Sequence, residues 1–271
     1  MTVPRPPRPR SPRPSSAPPR PPPAPTGAIA PTEKVFGLRA GLATFAVRRD
    51  DITAVTFAAE LRPQLGELLR WAAARRLPCV EASPEGLTRA AESPQHEGLC
   101  VTTRPRRWLP AAALADLLAQ GRGVGVALDR VRNPYNIGAI LRTAAFFGVD
   151  AALLGAPAPH PALPADAVRV AEGGVEHLAL SRTTDLAETL HRLRGRGVRV
   201  IGADGGSPTR AVGFAFARPC VLVLGHEREG LSERVRAQCD AVVSIAGSGA
   251  VESLNVAVAA GVLIGEMLRP R

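Results

Sequence analysis

The chain has 271 residues, with 34 Lys and Arg against 24 Asp and Glu, a net charge of +10 and 45% apolar residues. That length allows two domains or one large one, and that apolar share can build buried cores. No apolar run reaches the length of a membrane span, the four cysteines (Cys79, Cys100, Cys220, Cys239) show no CxxC spacing and the five histidines are scattered, which excludes a bilayer-spanning helix, a disulfide framework and a zinc site. A cytoplasmic protein is expected, its thiols reduced and buried or half-buried, with no membrane and no metal among its partners.

Residues 1–31 are rich in Pro and Arg and contain no acidic or aromatic residue. Such a segment cannot bury enough to fold, so a disordered basic arm of polyproline-II character is expected. It lacks the apolar core of a secretory signal. Its five arginines (Arg5, Arg8, Arg10, Arg13, Arg20) carry about half of the net charge. The arm either adds phosphate contacts to a nucleic acid or is an inert tail. The rest of the chain is also basic, with clusters such as Arg104-Pro-Arg-Arg107, which suggests a nucleic-acid partner; a solvated basic surface is the plainer alternative.

An ordered small domain is expected over 32–103, starting at Glu33-Lys-Val-Phe36. Strands are predicted at 52–57, 78–81 and 98–102, and helices at 64–75 and 84–91. Residues 104–121 read as a linker and a linking helix over 111–120. A second pattern fills 122–271, with strands at 125–129, 149–154, 198–203, 220–224 and 241–244. Helices are predicted at 137–147, 166–172, 184–194, 232–238 and 252–268. Short, continuously apolar strands alternating with helices predict an α/β fold with a parallel sheet covered on both faces.

Three segments combine strand ends, glycines and polar side chains. In the first, Asn136-Ile-Gly138-Ala-Ile-Leu-Arg142-Thr-Ala144 opens a helix after a strand, where α/β proteins place ligands. Asn136 and Arg142, six residues apart, lean to a similar face and suit a phosphate or ribose, with Gly138 permitting close approach; a helix cap and a solvent-exposed arginine fit equally. In the second, Leu224-Gly225-His-Glu227-Arg-Glu-Gly230-Leu-Ser232 leaves a buried strand through a charged loop. Glu227 stands at a site position or in an ordinary polar loop capped by Ser232, and His226 reads as structural or solvent-facing, not catalytic. In the third, Ile245 leads through Gly247 and Gly249 to Ser253-Leu254-Asn255, which opens a helix of small apolar residues. The small face of that helix (Ala257, Ala260, Gly261) fits either close helix contact or simple core packing.

Together these segments, as NxGxxxRTA, LGxExxGLS and SLNVxVA in that order, resemble the SpoU/TrmH family of the SPOUT superfamily, S-adenosylmethionine-dependent RNA ribose 2′-O-methyltransferases. Glu33-Lys-Val-Phe-Gly37 and Gln95-His-Glu-Gly98 extend the resemblance to the family's L30e-like RNA-binding domain. The resemblance implies a parallel α/β sheet with a C-terminal trefoil knot, a homodimer, and RNA as partner, ribosomal favoured over transfer RNA. It implies Arg142 as the central catalytic residue, Asn136 supporting it, and Glu227, Ser253 and Asn255 as the other polar site residues. S-adenosyl-L-methionine would be held around Leu224, Gly225, Ile245, Gly249 and Leu254.

Two positions depart from the family pattern. Ile245-Ala246-Gly247 replaces the usual Ile-Pro-Met, and Glu172 in Ala171-Glu-Gly-Gly174 stands where relatives often carry Ser. The first supports a rival class, an RNA-binding relative with weak or no methyl transfer. A dinucleotide-binding Rossmann enzyme is disfavoured because Gly121, Gly123 and Gly125 precede their strand instead of following it.

Overall fold

The computed structural model describes residues 31–155 and 163–269. The basic arm expected over 1–31 therefore lies, but for Pro31, outside the described residues.

The N-terminal lobe begins with β1 (Glu33–Phe36) and α1 (Leu38–Arg48), followed by β2 (Ile52–Phe57), α2 (Gly66–Ala74), β3 (Cys79–Glu81), α3 (Pro84–Ala91) and β4 (Leu99–Thr103). Its sheet has the order β1-β4-β2-β3, antiparallel except for the β2–β3 pair. Phe45, Val55, Phe57, Leu65, Leu68 and Val101 fill its core. Helix α3 starts where the sequence dictates: the Ser83 Oγ accepts from the Gly86 N–H at 3.3 Å, and Pro84 occupies the first turn.

Helix α4 (Ala111–Gly121) leads into the second lobe. There β5 (Val124–Asp129), α5 (Pro134–Phe146), β6 (Ala151–Gly155), α6 (Ala165–Val170), β7 (Ala179–Thr183), α7 (Leu186–Gly195), β8 (Arg199–Ala203), β9 (Cys220–Leu224), α8 (Glu233–Arg236), β10 (Ala241–Val243) and α9 (Val256–Leu268) follow in order. The strands form one parallel sheet, β10-β8-β9-β5-β6-β7. One apolar cluster joins α5, α6 and α9 to the sheet, and another joins α4, α7 and α8 to it, so both faces are covered as the apolar strands require.

Three expectations need correction. Strand β7 was not expected; its short Ala-Leu-Ser-Arg-Thr run sets buried Leu180 and Ser181 beside exposed Arg182 and has neither a continuous apolar nor an alternating pattern. The last helix starts at Val256, not at residue 252, and its cap is Asn255. The Asn255 Oδ1 accepts from the N–H groups of Ala257 and Val258 at 2.9 and 3.4 Å, leaving Ser253 in the exposed loop before it. Cys79, expected to be at least half-buried, is exposed on β3.

The lobes meet at a buried set of four charges. Arg106 donates to Glu33 from Nε at 2.7 Å, Arg48 donates from Nε to Glu176 at 2.8 Å, and the cross pairs Arg48–Glu33 and Arg106–Glu176 lie at 3.4 and 3.5 Å. These two cations and two anions alternate and balance one another, which is the condition for burying charge at all, and the partly exposed Asp51 lies 3.8 Å from Arg48 at the margin of the set. Thr44 adds a hydroxyl donor to Glu176 at 3.1 Å.

Candidate active site

The carboxyl ends of β5, β9 and β10 open onto the three motif segments. Helix α5 begins with Asn133, whose side chain accepts from the Tyr135 N–H at 2.9 Å, and Pro134 supplies the preset first turn. This places Asn136 in the first turn, facing the loop after β9. That loop is a tight return: His226 and Gly230 exchange backbone hydrogen bonds at 3.0 and 2.9 Å. It can form only because residue 225 is glycine, since a Cβ there would stand 2.3 Å from the Gly230 carbonyl carbon. The buried Asp129 at the end of β5 accepts from the Ser232 N–H at 2.7 Å and fixes the far side of the loop. Arg130 binds Glu229 and the Gly230 carbonyl. The His226 Nδ1 accepts from the Arg228 N–H at 3.3 Å.

With the loop so held, Glu227 meets α5. The Asn136 Nδ2 donates to the Glu227 Oε1 at 2.7 Å, and the Asn255 Nδ2 donates to the Asn136 Oδ1 at 3.1 Å. Asn136 therefore links all three segments with one amide, and Asn255 both caps α9 and joins the network.

Arg142 lies elsewhere. Six residues at about 100° each leave it about 120° from Asn136 around the helix, so the two do not share a face as the spacing suggested. Its Nη2 pairs with the Glu172 Oε2 at 2.9 Å, with the Arg142 side chain half exposed. Gly138, expected to admit a ligand, instead admits α6: a Cβ would lie 2.6 Å from the Ala167 carbonyl oxygen. The face of α9 carrying Ala260 is buried, and Gly261 sits against Thr143 of α5.

The positions expected to hold the cofactor follow the carboxyl ends of β9 and β10 and make up the rim at that edge of the sheet. Leu224 and Gly225 are buried, Ile245 is half-buried, and Gly249 and Leu254 are exposed. A Cβ at Gly247 or Gly249 would meet nothing within 4 Å, so this loop stands clear of the fold. Its root is firm: the Ser244 N–H donates to the Thr209 carbonyl at 2.8 Å, and Arg210 donates to the Ser244 Oγ at 3.0 Å. Cys220 starts β9, at the opposite end of the strand from the proposed cofactor positions, and burial pushes its thiol up to about 11. Among the described residues, no group of three or more His, Cys, Asp and Glu is placed to hold a metal ion.

Sequence inspection missed Asp129, Arg130 and Arg210 as supports. Only Asp129 carried a signal, as a carboxylate ending a wholly apolar strand. It also left Glu172 without a partner, marking it as a departure and no more.

The fold and the network together define an α/β protein whose polar side chains converge at the carboxyl edge of a parallel sheet. Residues 123–265 match the family model described as the SpoU rRNA Methylase family. Over 249 residues the chain is 35% identical to an uncharacterized tRNA/rRNA methyltransferase of Mycobacterium ulcerans, covering 89% of this chain and 78% of that one. A Mycobacterium tuberculosis protein with the same description is 36% identical, covering 89% and 75%. The SpoU methyltransferase AviRb of Streptomyces viridochromogenes, solved in complex with AdoMet, superposes with a TM-score of 0.72 at 25% identity, covering 88% and 89%. An AdoMet-bound rRNA methyltransferase of Sinorhizobium meliloti gives 0.73 at 23% identity, covering 87% and 86%, a likeness of fold. The chain belongs to the SpoU family of RNA methyltransferases.

Proposed function

We propose that the protein transfers a methyl group from S-adenosylmethionine to a ribose 2′-hydroxyl of RNA, with ribosomal RNA favoured over transfer RNA. The observation that carries this is the Asn136–Glu227–Asn255 network, which ties three separate segments together at the carboxyl edge of the sheet. The rim beside it fits the cofactor. Exposed Leu254 and half-buried Ile245 offer apolar surface, and the small-residue loop 246–250 leaves backbone groups accessible. Leu224, Gly225, Ile245, Gly249 and Leu254 would hold S-adenosylmethionine, which supplies a methyl carried on a sulfonium and needs no metal.

The ribose hydroxyl is a weak nucleophile that loses its proton as it attacks. A guanidinium keeps its proton and is a poor base. The role of Arg142 is to bind the substrate phosphate and stabilise the developing alkoxide, with phosphate or water accepting the proton. Asn136 and Glu227 set the angle of the α5 turn, and Asn255 fixes the start of α9 beside them. Ser253, exposed in the loop before α9, is proposed as the remaining polar site residue.

The same reading covers the finer architecture. The end of β10 is flanked on one side by β8 and on the other by the 209–211 segment that follows β8, an arrangement that supports a C-terminal knot. The N-terminal lobe, one parallel pair in an otherwise antiparallel sheet, is proposed as the L30e-like RNA-binding domain over 32–103, joined through 104–121 to the catalytic domain over 122–271. Val258, Val262, Phe146 and Phe147 form an exposed apolar patch on α9 and α5 that suits a homodimer interface. No helix among the described residues is long and apolar enough to cross a membrane, and a cytoplasmic enzyme is proposed.

The test is methyl transfer from labelled S-adenosylmethionine to unmodified ribosomal RNA transcripts, read as 2′-O-methylnucleosides after digestion. Arg142→Ala should lower kcat/KM by at least about a hundredfold, roughly 3 kcal/mol, and Arg142→Lys should not restore it. Calorimetry showing no S-adenosylmethionine binding would favour the RNA-binding relative instead.

A further inference from the structure

Glu172 is the focus of two arginines from different lobes. Its Oε2 lies 2.9 Å from the Arg142 Nη2 on α5 and 3.0 Å from the Arg39 Nη1 on α1. Both guanidinium groups reach the same oxygen, so they share one anion-sized focus. The turn carrying the carboxylate is wedged there by its neighbours. Glu172 adopts a left-handed conformation with φ 46°. A Cβ on Gly173 would lie 2.4 Å from the Ala43 Cβ of α1, and one on Gly174 would lie 3.1 Å from the Arg142 Cα. The glycines thus press the turn against both helices, and the carboxylate is set between them by backbone packing.

The set is open to solvent. The side chains of Arg39, Arg142 and Glu172 are 73%, 53% and 33% exposed, in contrast to the buried four-charge cluster nearby. Exposed ion pairs are weak and are exchanged readily for a better anion. A phosphodiester offers two free oxygens to two planar guanidinium forks, where one carboxylate oxygen is now shared. Two cations around one carboxylate also leave the set with net positive charge.

We propose that Arg39 and Arg142 form a two-lobe clamp for a backbone phosphate of the RNA, and that Glu172 is the resident anion the phosphate displaces. The proposal rests on the RNA methyltransferase reading for the identity of the polyanion. Glu172 is a positioning residue: without RNA it holds Arg142 and Arg39 at a common point, and RNA takes over both. Arg39 becomes a substrate-binding residue contributed by the N-terminal lobe, so a bound RNA has to touch both lobes to engage Arg142.

The experiment measures binding of a fluorescein-labelled stem-loop RNA by anisotropy across a salt series, using the full chain and its Glu172→Gln and Arg39→Gln variants. Methyl transfer to ribosomal RNA transcripts is followed in parallel. Glu172→Gln should bind RNA about three- to tenfold more tightly at low salt, because the competing charge is gone. Arg39→Gln should bind more weakly, with the salt slope reduced by about one, and its loss in kcat/KM should fall mainly on KM. Gln meets the same backbone conformation as Glu, and melting curves report whether either variant is misfolded. The clamp is overturned if Glu172→Gln binds RNA no better than the wild type, or if Arg39→Gln leaves the salt slope unchanged. A wild type that shows these binding effects but transfers no methyl group would count against the reaction and leave the clamp standing.

Discussion

Helix α5 serves two polar assemblies that differ in kind. At its first turn, Asn136 joins Glu227 and Asn255 through amide hydrogen bonds, all within the second lobe. Two turns later, Arg142 joins Glu172 and Arg39 through charge, across the two lobes. Directional hydrogen bonds fix the first assembly because each group has one partner geometry. Exposure leaves the second exchangeable. Beside it, the same chemistry of arginine and carboxylate in Arg48, Arg106, Glu33 and Glu176 is buried and therefore fixed. Burial, more than the residue types, decides which ion pairs hold the molecule together and which can be traded for a ligand.

The largest effect on stability should come from the buried set. Arg106→Ala leaves Glu33 and Glu176 sharing Arg48 alone, with their other charge uncompensated. We expect a loss of about 3–5 kcal/mol in urea denaturation. Glu172→Gln, in the exposed set, should change stability by less than about 1 kcal/mol. Equal losses in the two variants would erase the distinction drawn between the assemblies.

An intermediate effect is expected at the first turn of α5. Asn136→Ala removes the donor to Glu227 and the acceptor for Asn255 together. The cost should be about 1–3 kcal/mol in stability, with weaker S-adenosylmethionine binding in calorimetry as the rim loosens. Unchanged cofactor affinity would separate the network from the rim and leave it a purely structural link.

Much of this was legible before any coordinates. Apolar strands alternating with helices point to the parallel sheet, whereas the start of α5 was expected at residue 137 and lies three residues earlier, at Pro134 capped by Asn133. The three motif segments were visible as strand ends followed by glycine and polar residues. What stayed hidden depended on contacts across the chain. The edge strand β7 has too mixed a pattern to stand out, and its place is set by pairing with β6. Asn136 and Arg142 looked alike at six-residue spacing, yet the helix turns them toward different partners. Gly138 was expected to permit close approach, and what approaches is α6; that the glycine at 225 lets its own loop close depends equally on a contact across the chain. Glu172 was visible only as an oddity, because its meaning lies in Arg39, 133 residues away.

The smallest effect asks whether the two lobes open together. Burial pushes the thiols of Cys100 in the first lobe and Cys220 in the second each up to about 11. Near pH 8 roughly one such thiol in a thousand is ionised even where reagent can reach it, and the ionised share rises tenfold per pH unit toward 11. Exposed Cys79 should therefore label first with a disulfide reagent. Cys100 and Cys220 should follow slowly and at similar rates if the buried charges couple the lobes. Arg106→Ala should let Cys100 react ahead of Cys220. The same shift fixes the sign of the alkaline response. A thiol whose native pKa is raised favours the folded state fully below its unfolded value near 9, and that advantage is lost as pH climbs through about 11. Denaturation midpoints should therefore fall between pH 9 and 11, and less steeply in a Cys100→Ala, Cys220→Ala variant. A wild type in which Cys100 already labels well before Cys220 would mean that the lobes open independently, and that the buried charges align them without binding their stabilities together.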